Sequence, residues 1–335
     1  VSARAHNDNG LAPAAQLASG RRRRAPGRSI AVRALFAGTL ALCYLQLLLG
    51  DTVRVTESGM GCRSWPLCNG SLGLGGSLHA LLEQSHRYLA TVVTLAVLAS
   101  LLAAFRLRPR DHLLRLTCAV GAGVIGLQVA LGALTVLAHN AGWTVALHLA
   151  GAWLLLGVST VAALVVFAPL RRRRDLSRGG LLAAGALGAL FLLAASGMVT
   201  LHTGAARACP SWPLCLSTHA ATTRVTLQYV HRGLAVAASV LVAWLALSRW
   251  RAPHAARGER LLALSLLALL AGTAALGGVV ATTGAPAYAQ DLHLALASAL
   301  WVAAVALAAP HLAAPPAAPL AASAERSPSA LALGR

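Results

Sequence analysis

Apolar residues in this chain come in eight long runs, at about 31–50, 84–105, 114–137, 144–169, 181–200, 227–248, 261–283 and 291–312. Each is long enough to cross a hydrocarbon core of ~30 Å as a helix rising ~1.5 Å per residue. Polar and charged residues gather between the runs. The pattern predicts an all-α integral membrane protein with eight transmembrane helices. The first run meets no cleavage-like stop before Asp51, so it is expected to remain as a helix rather than leave as a signal peptide.

The pattern also repeats. Cys62 and Cys209 are 147 residues apart, as are Cys68 and Cys215, while His86 and His231 are separated by 145, as are His148 and His293. A nearly constant offset across four polar landmarks predicts two parallel-repeat four-helix bundles, related by an axis near the membrane normal. The expected division is a disordered lead-in at 1–30, a first bundle at 31–170, a basic linker at 171–180, a second bundle at 181–312 and a Pro/Ala/Ser-rich tail at 313–335.

Composition sharpens this reading. Hydrophobic residues make up 57% of the chain and charged residues 11%, too apolar for one soluble core. The net charge of +19 comes from arginine without any lysine. A nucleic-acid partner is not expected, because the arginines sit between apolar runs, where they act as topology determinants beside anionic lipid. One side carries Arg21–Arg24, Arg28 and Arg33, then Arg106, Arg108, Arg110 and Arg115, then Arg171–Arg174 and Arg178, then Arg249, Arg251, Arg257 and Arg260. The positive-inside rule places these and both termini in the cytoplasm. Residues 51–83, 138–143, 201–226 and 284–290 then face outward.

Four of the twelve histidines stand out. His86, His148, His231 and His293 fall near the outer ends of the even-numbered spans, at matching places in the repeats. An imidazole inside a membrane is costly unless paired or bound, which makes it a functional candidate. Two facing histidines supply both axial ligands of a haem iron. The simplest pairing is His86 with His148 and His231 with His293, giving two haem-sized sites toward the outer face. Interhelical hydrogen bonding, a proton relay and another metal are the competing uses. His6, His79, His112, His139, His202, His219, His254 and His311 read as peripheral.

Glu83 breaks the symmetry. The first repeat has Glu-x-x-His, and the second has Gln228 three residues before His231. Residues at i and i+3 share a helix face. A carboxylate there takes a proton or stabilises positive charge, whereas Gln228 only hydrogen-bonds. The first site is therefore expected to react and the second to assist. Arg87 and Arg232 follow the histidines and suit either haem propionates or the membrane interface. Cys62/Cys68 and Cys209/Cys215 lie on the oxidising side, where disulfides persist; each small loop is structural or redox-exchanging. Trp65 and Trp212 lie inside those loops, against a porphyrin edge or the interface belt. The cysteine spacing is neither CxxC nor CxxCH, and there is no Walker loop, no GxGxxG opening a helix after a strand and no HExxH.

These motifs together, VTESGMGCRSWPLCNG at 55–70, EQSHR at 83–87, His148, CPSWPLC at 209–215, QYVHR at 228–232 and His293, resemble the haem A synthase family over roughly residues 31 to 312. The resemblance implies an eight-helix enzyme of the bacterial plasma membrane that oxidises the C8 methyl group of haem O to a formyl group by successive hydroxylations, for cytochrome oxidase. It implies that the half with His86 and His148 holds haem O as substrate and the half with His231 and His293 holds haem B. Glu83 matches the family's required carboxylate. Cys62 and Cys68 match an extracytoplasmic pair that forms a disulfide in part of the family, and Cys209 and Cys215 match a pair only some members carry. Implied partners are the haem O synthase and, for some members, oxidase assembly factors. A homo-oligomer is compatible with the sequence, and the electron acceptor is not named by it. The rival classes are a quinol-linked dihaem cytochrome b, which requires equivalent sites, a non-catalytic haem carrier, and a thiol oxidoreductase, which leaves four aligned histidines without a use.

Overall fold

The computed structural model describes residues 26–73, 76–168, 170–172, 177–215 and 222–314. The expectations for Arg21–Arg24, Arg173 and Arg174, His6, His219, the lead-in before Pro26 and the tail after Ala314 lie outside the described residues. Eight long helices account for most of the rest: α1 Pro26–Val55, α2 Leu78–Leu107, α3 His112–Leu137, α4 Gly142–Phe167, α5 Arg178–His202, α6 Thr223–Trp250, α7 Arg257–Thr282 and α8 Ala287–Leu312. All eight are long and apolar enough to cross a membrane. A two-residue strand, β1 Arg171–Arg172, pairs antiparallel with β2 Ala313–Ala314.

The helices begin earlier than the apolar runs, and polar residues cap four of them. Ser77 accepts a hydrogen bond from the Ala80 amide, Asp111 from Leu114, Ser177 from Gly180 and Thr222 from Val225. Each cap satisfies an amide that the first turn would otherwise leave unpaired. Capping at Ser77 and Thr222 makes His86 and His231 each the ninth residue of its helix. His148 and His293 are each the seventh of theirs.

Helix α1 packs on α2 and α4, and α3 on α2 and α4; α5 packs on α6 and α8, and α7 on α6 and α8. Between these groups α4 meets α8 and α5, and α1 meets α8. Hydrogen bonds among the described residues cross that junction. Tyr44 donates to the Ala295 carbonyl at 2.9 Å, Trp301 Nε1 to the Trp153 carbonyl at 3.0 Å, and Arg54 to Gln290 Oε1 at 3.0 Å. One apolar cluster runs through it, from Cys43, Leu47 and Trp153 to Leu266, Trp301 and Leu307. The outside is equally apolar: Leu95, Leu127, Leu192 and Trp244 are all more than half exposed. Lipid, rather than water, is the solvent such a surface suits.

Candidate functional site

Each of the four singled-out histidines is half-buried and lies against a glycine of the preceding helix. A methyl group built on Gly50 of α1 would stand 2.8 Å from His86 Cε1. One on Gly132 of α3 would stand 3.4 Å from His148 Cε1, and on Gly197 of α5 and Gly277 of α7 3.2 Å from the same atom of His231 and His293. Two rings also meet a polar side chain on that same helix. Gln46 Nε2 lies 3.1 Å from His86 Nδ1 and 3.2 Å from its Nε2, and Ser196 Oγ lies 2.8 Å from His231 Nδ1. His148 Nδ1 is buried with no hydrogen-bond partner.

His231 and His293 line one cavity of about 440 Å³, within the ~300–1,000 Å³ usual for small-molecule and cofactor sites. Its walls are apolar, with Leu190, Phe191, Val240 and Leu300 among them. Gln228 and Arg232 reach it, and so do Asp51 and Arg54 from α1 and Trp153 from α4. The first four helices therefore contribute to a cavity built mainly by the last four. Asp51 holds Arg54 Nε at 2.6 Å, and its carboxylate also meets the carboxyl of Asp291 on α8. These residues fit a haem: apolar walls for the macrocycle, two imidazoles for the iron, and arginines for the carboxylates.

Glu83 is 4% exposed and is gripped from two sides. Its carboxylate accepts from the Cys62 amide at 2.7 Å and from Arg87 at 2.6 Å. Arg87 also donates to the carbonyls of Ser64, Pro66 and Cys62 at 2.7, 3.2 and 3.1 Å. Arg232 does the same in the second half, donating to Ser211, Pro213 and Cys209 at 2.8, 3.2 and 2.9 Å. Both arginines thus clamp a cysteine loop, while Arg232 also borders the cavity. Cys62 and Cys68 form a disulfide, as do Cys209 and Cys215. Gln228 donates to the Ala205 carbonyl at 2.8 Å, so it holds a backbone turn where Glu83 holds a loop amide and an arginine. Trp212 packs its ring over Gly278 and lines the cavity; Trp65 is 44% exposed.

Two sets of residues escaped sequence reasoning. The glycines facing the histidines recur at the same offsets as the histidines' neighbours, Gly50 with Gly197 and Gly132 with Gly277, but a glycine among 31 has no signature until the adjacent helix is placed. Asp51 and Arg54 read as loop residues because the first apolar run stops at 50, whereas the helix continues to Val55. Among the peripheral histidines, His79 Nδ1 lies 2.9 Å from Ser58 Oγ. His139 and Asn140 are a left-handed turn joining α3 to α4, the place taken by Gly284 and Ala285 between α7 and α8.

Eight membrane-length helices define a multi-pass membrane protein. A family described as cytochrome oxidase assembly protein, COX15-CtaA, matches residues 75–305, well over half of the chain, and the chain belongs to that family. A haem A synthase of Geobacillus kaustophilus is 29% identical over 278 residues, covering 80% of this chain and 86% of that protein. A haem A synthase of Geobacillus thermodenitrificans is 28% identical, covering 67% and 72%. A protohaem IX farnesyltransferase of Thermus thermophilus is 30% identical over 287 residues, which span 79% of this chain and 46% of that protein.

Proposed function

We propose that the protein is a haem A synthase, an oxidoreductase that converts the C8 methyl group of haem O to a formyl group through successive hydroxylations. The observation that carries this reading is the pair of histidine sites in one helical register, only one of which has a carboxylate three residues before its first histidine. Family membership and the haem A synthase relatives support it.

In this reading haem O binds between His86 and His148, and haem B is held by His231 and His293 with Arg232 and Arg54 toward its carboxylates. Bound haem B supplies one-electron redox chemistry to the second half. Glu83 is the reacting half's proton and charge partner. Arg87 and the Cys62 amide fix its orientation, and each carboxylate oxygen keeps a lone pair for a further contact. In the dry environment between helices a fixed carboxylate stabilises positive charge developing on the substrate or takes the proton it releases. The disulfide loop at 62–68 covers this end, and Arg87 ties loop, carboxylate and helix together. A dihaem cytochrome that only passes electrons has no use for the difference between Glu83 and Gln228.

The two four-helix halves form a parallel repeat with both termini cytoplasmic and the haem sites toward the outer face. Arginine placement supports this orientation, and two arginines at the basic ends cover aromatic rings, Arg33 over Phe167 and Arg115 over Phe105. The enzyme that supplies haem O is the natural neighbour; the farnesyltransferase whose chain includes a stretch similar to this one supports that pairing.

The test is production of the full chain with a source of haem O, followed by extraction of pigments and chromatography with mass detection. Haem A or its hydroxylated precursor is the expected product. A folded, haem-loaded protein that yields neither would overturn the assignment.

A further inference from the structure

We infer that Gly50, Gly197 and Gly277, and least strictly Gly132, are positioning residues, seats that let the histidine rings lie flush against the backbone of the neighbouring helix. The inference rests on the proposed role of these histidines as iron ligands, and it goes beyond that role by naming what aims them.

The geometry is the same four times. A histidine on an even-numbered helix faces a glycine on the helix before it: α2 on α1, α4 on α3, α6 on α5, α8 on α7. In three of the four, an added methyl would stand within 3.2 Å of the ring, closer than carbon atoms pack without something moving. The glycine backbone has little room to give, because it is in a helix. The imidazole would turn or shift instead, and a ring nitrogen aimed at a fixed iron tolerates little of either.

Helix propensity argues that the glycines have a use. Glycine inside a helix is unfavourable relative to alanine, in a chain that uses alanine freely. Other helical glycines here, such as Gly38 and Gly185, have no atom within 4 Å of the missing methyl position. They serve as controls. Gln46 and Ser196 add a second restraint on two of the rings, fixing rotation where the glycine fixes approach.

The contacts also rank the seats. Gly50 is the tightest at 2.8 Å, Gly197 and Gly277 follow at 3.2 Å, and Gly132 at 3.4 Å is an ordinary contact. Alanine at Gly50 should perturb its site most and alanine at Gly132 least.

The experiment compares the full chain with Gly197→Ala, Gly277→Ala, Gly38→Ala and Gly185→Ala after purification in detergent. The absorption and electron paramagnetic resonance spectra of the resident haem report axial ligation, and titration with haemin reports affinity. The two seat variants should shift the spectra and bind haemin about 10- to 100-fold more weakly, the usual range for losing an outer support of a metal ligand. The two controls should match the parent chain. Parental spectra and affinity in both seat variants would overturn the inference.

A second measurement covers poor folding. In a cycle of Gly197→Ala, His231→Ala and the double variant, thermal unfolding of haem-depleted protein is followed. Alanine at 197 should lower the midpoint beside His231 and leave it unchanged or raised beside alanine. An equal effect in both backgrounds, or failure of the double variant to fold, would show that the glycine does not act through the ring. The ligand assignment is tested separately: if His231→Ala alone retains haem with unaltered spectra, that assignment fails whatever the glycines do.

Discussion

At the scale of single residues, the Glu83–Arg87 pair decides most. Its side chains are 5% and 13% exposed, so neither charge is well hydrated without the other. Removing one partner of a buried pair strands the remaining charge, at a cost of about 3 kcal/mol. Arg87→Ala should therefore lower thermal stability by about that amount and expose the 62–68 loop to proteolysis. Arg232 has the same carbonyl partners but no carboxylate, so Arg232→Ala should cost less in the same assays. Glu83→Gln is a gentler change than truncation, since the amide oxygen still accepts from Arg87 or from the Cys62 amide, although its NH2 cannot accept from the other. Haem A output should collapse while haem B remains bound, read by pigment analysis of purified protein. Full output would remove Glu83 from the chemistry. The histidines and Glu83 were legible in the sequence because each is a polar outlier beside or within an apolar run. Their seats were not, because a glycine's meaning depends on a helix far away along the chain.

At the scale of elements, start positions matter more than lengths. The apolar runs located all eight helices, yet polar caps mark the true starts of α2, α3, α5 and α6, and hydropathy does not register caps. Two short 3-10 turns, Ser58–Met60 and Ala205–Arg207, also lay below the resolution of the pattern. They follow α1 and α5 at equivalent points and hold the cysteine loops against the next helix. Their entry residues differ instructively. Gly204 opens the second turn at φ 70°, and Glu57 opens the first at φ 55°. A left-handed conformation costs a residue with a Cβ about 1 kcal/mol, and glycine nothing. The Glu57 side chain makes no capping hydrogen bond. Glu57→Gly should consequently raise the unfolding free energy by about 1 kcal/mol with activity unchanged, as followed by thermal denaturation and pigment assay. A fall in stability would mean that the glutamate has a partner of its own.

For the whole molecule, the contact between the first and last four helices is part of the site. Arg54 and Asp51 come from α1 yet border the cavity of His231 and His293, and Trp301 binds the Trp153 carbonyl across the same junction. Trp301→Phe keeps most of the packing and loses that hydrogen bond, an expected loss of about 1 kcal/mol. If the junction shapes the cavity, haem B absorption should shift in that variant as well, and an unshifted spectrum would confine Trp301 to packing. Orientation is open to a separate check. Alkaline phosphatase fused after Asn140 should be active, and a fusion after Ala255 should not. The reverse result would invert the proposed topology.

The helices that meet between the halves, α4 with α8, α1 with α8 and α4 with α5, form a set that is unchanged when α1–α4 and α5–α8 trade places. A surface that mates with a rotated copy of itself is the surface of a symmetric homodimer. A gene encoding either half alone would thus already specify a way to pair. Joining two such genes would free each copy to change without the other. Asp51 and Arg54 break the likeness between the halves: at the corresponding positions α5 carries Met198 and Leu201, so one half lends charge across the seam and the other does not.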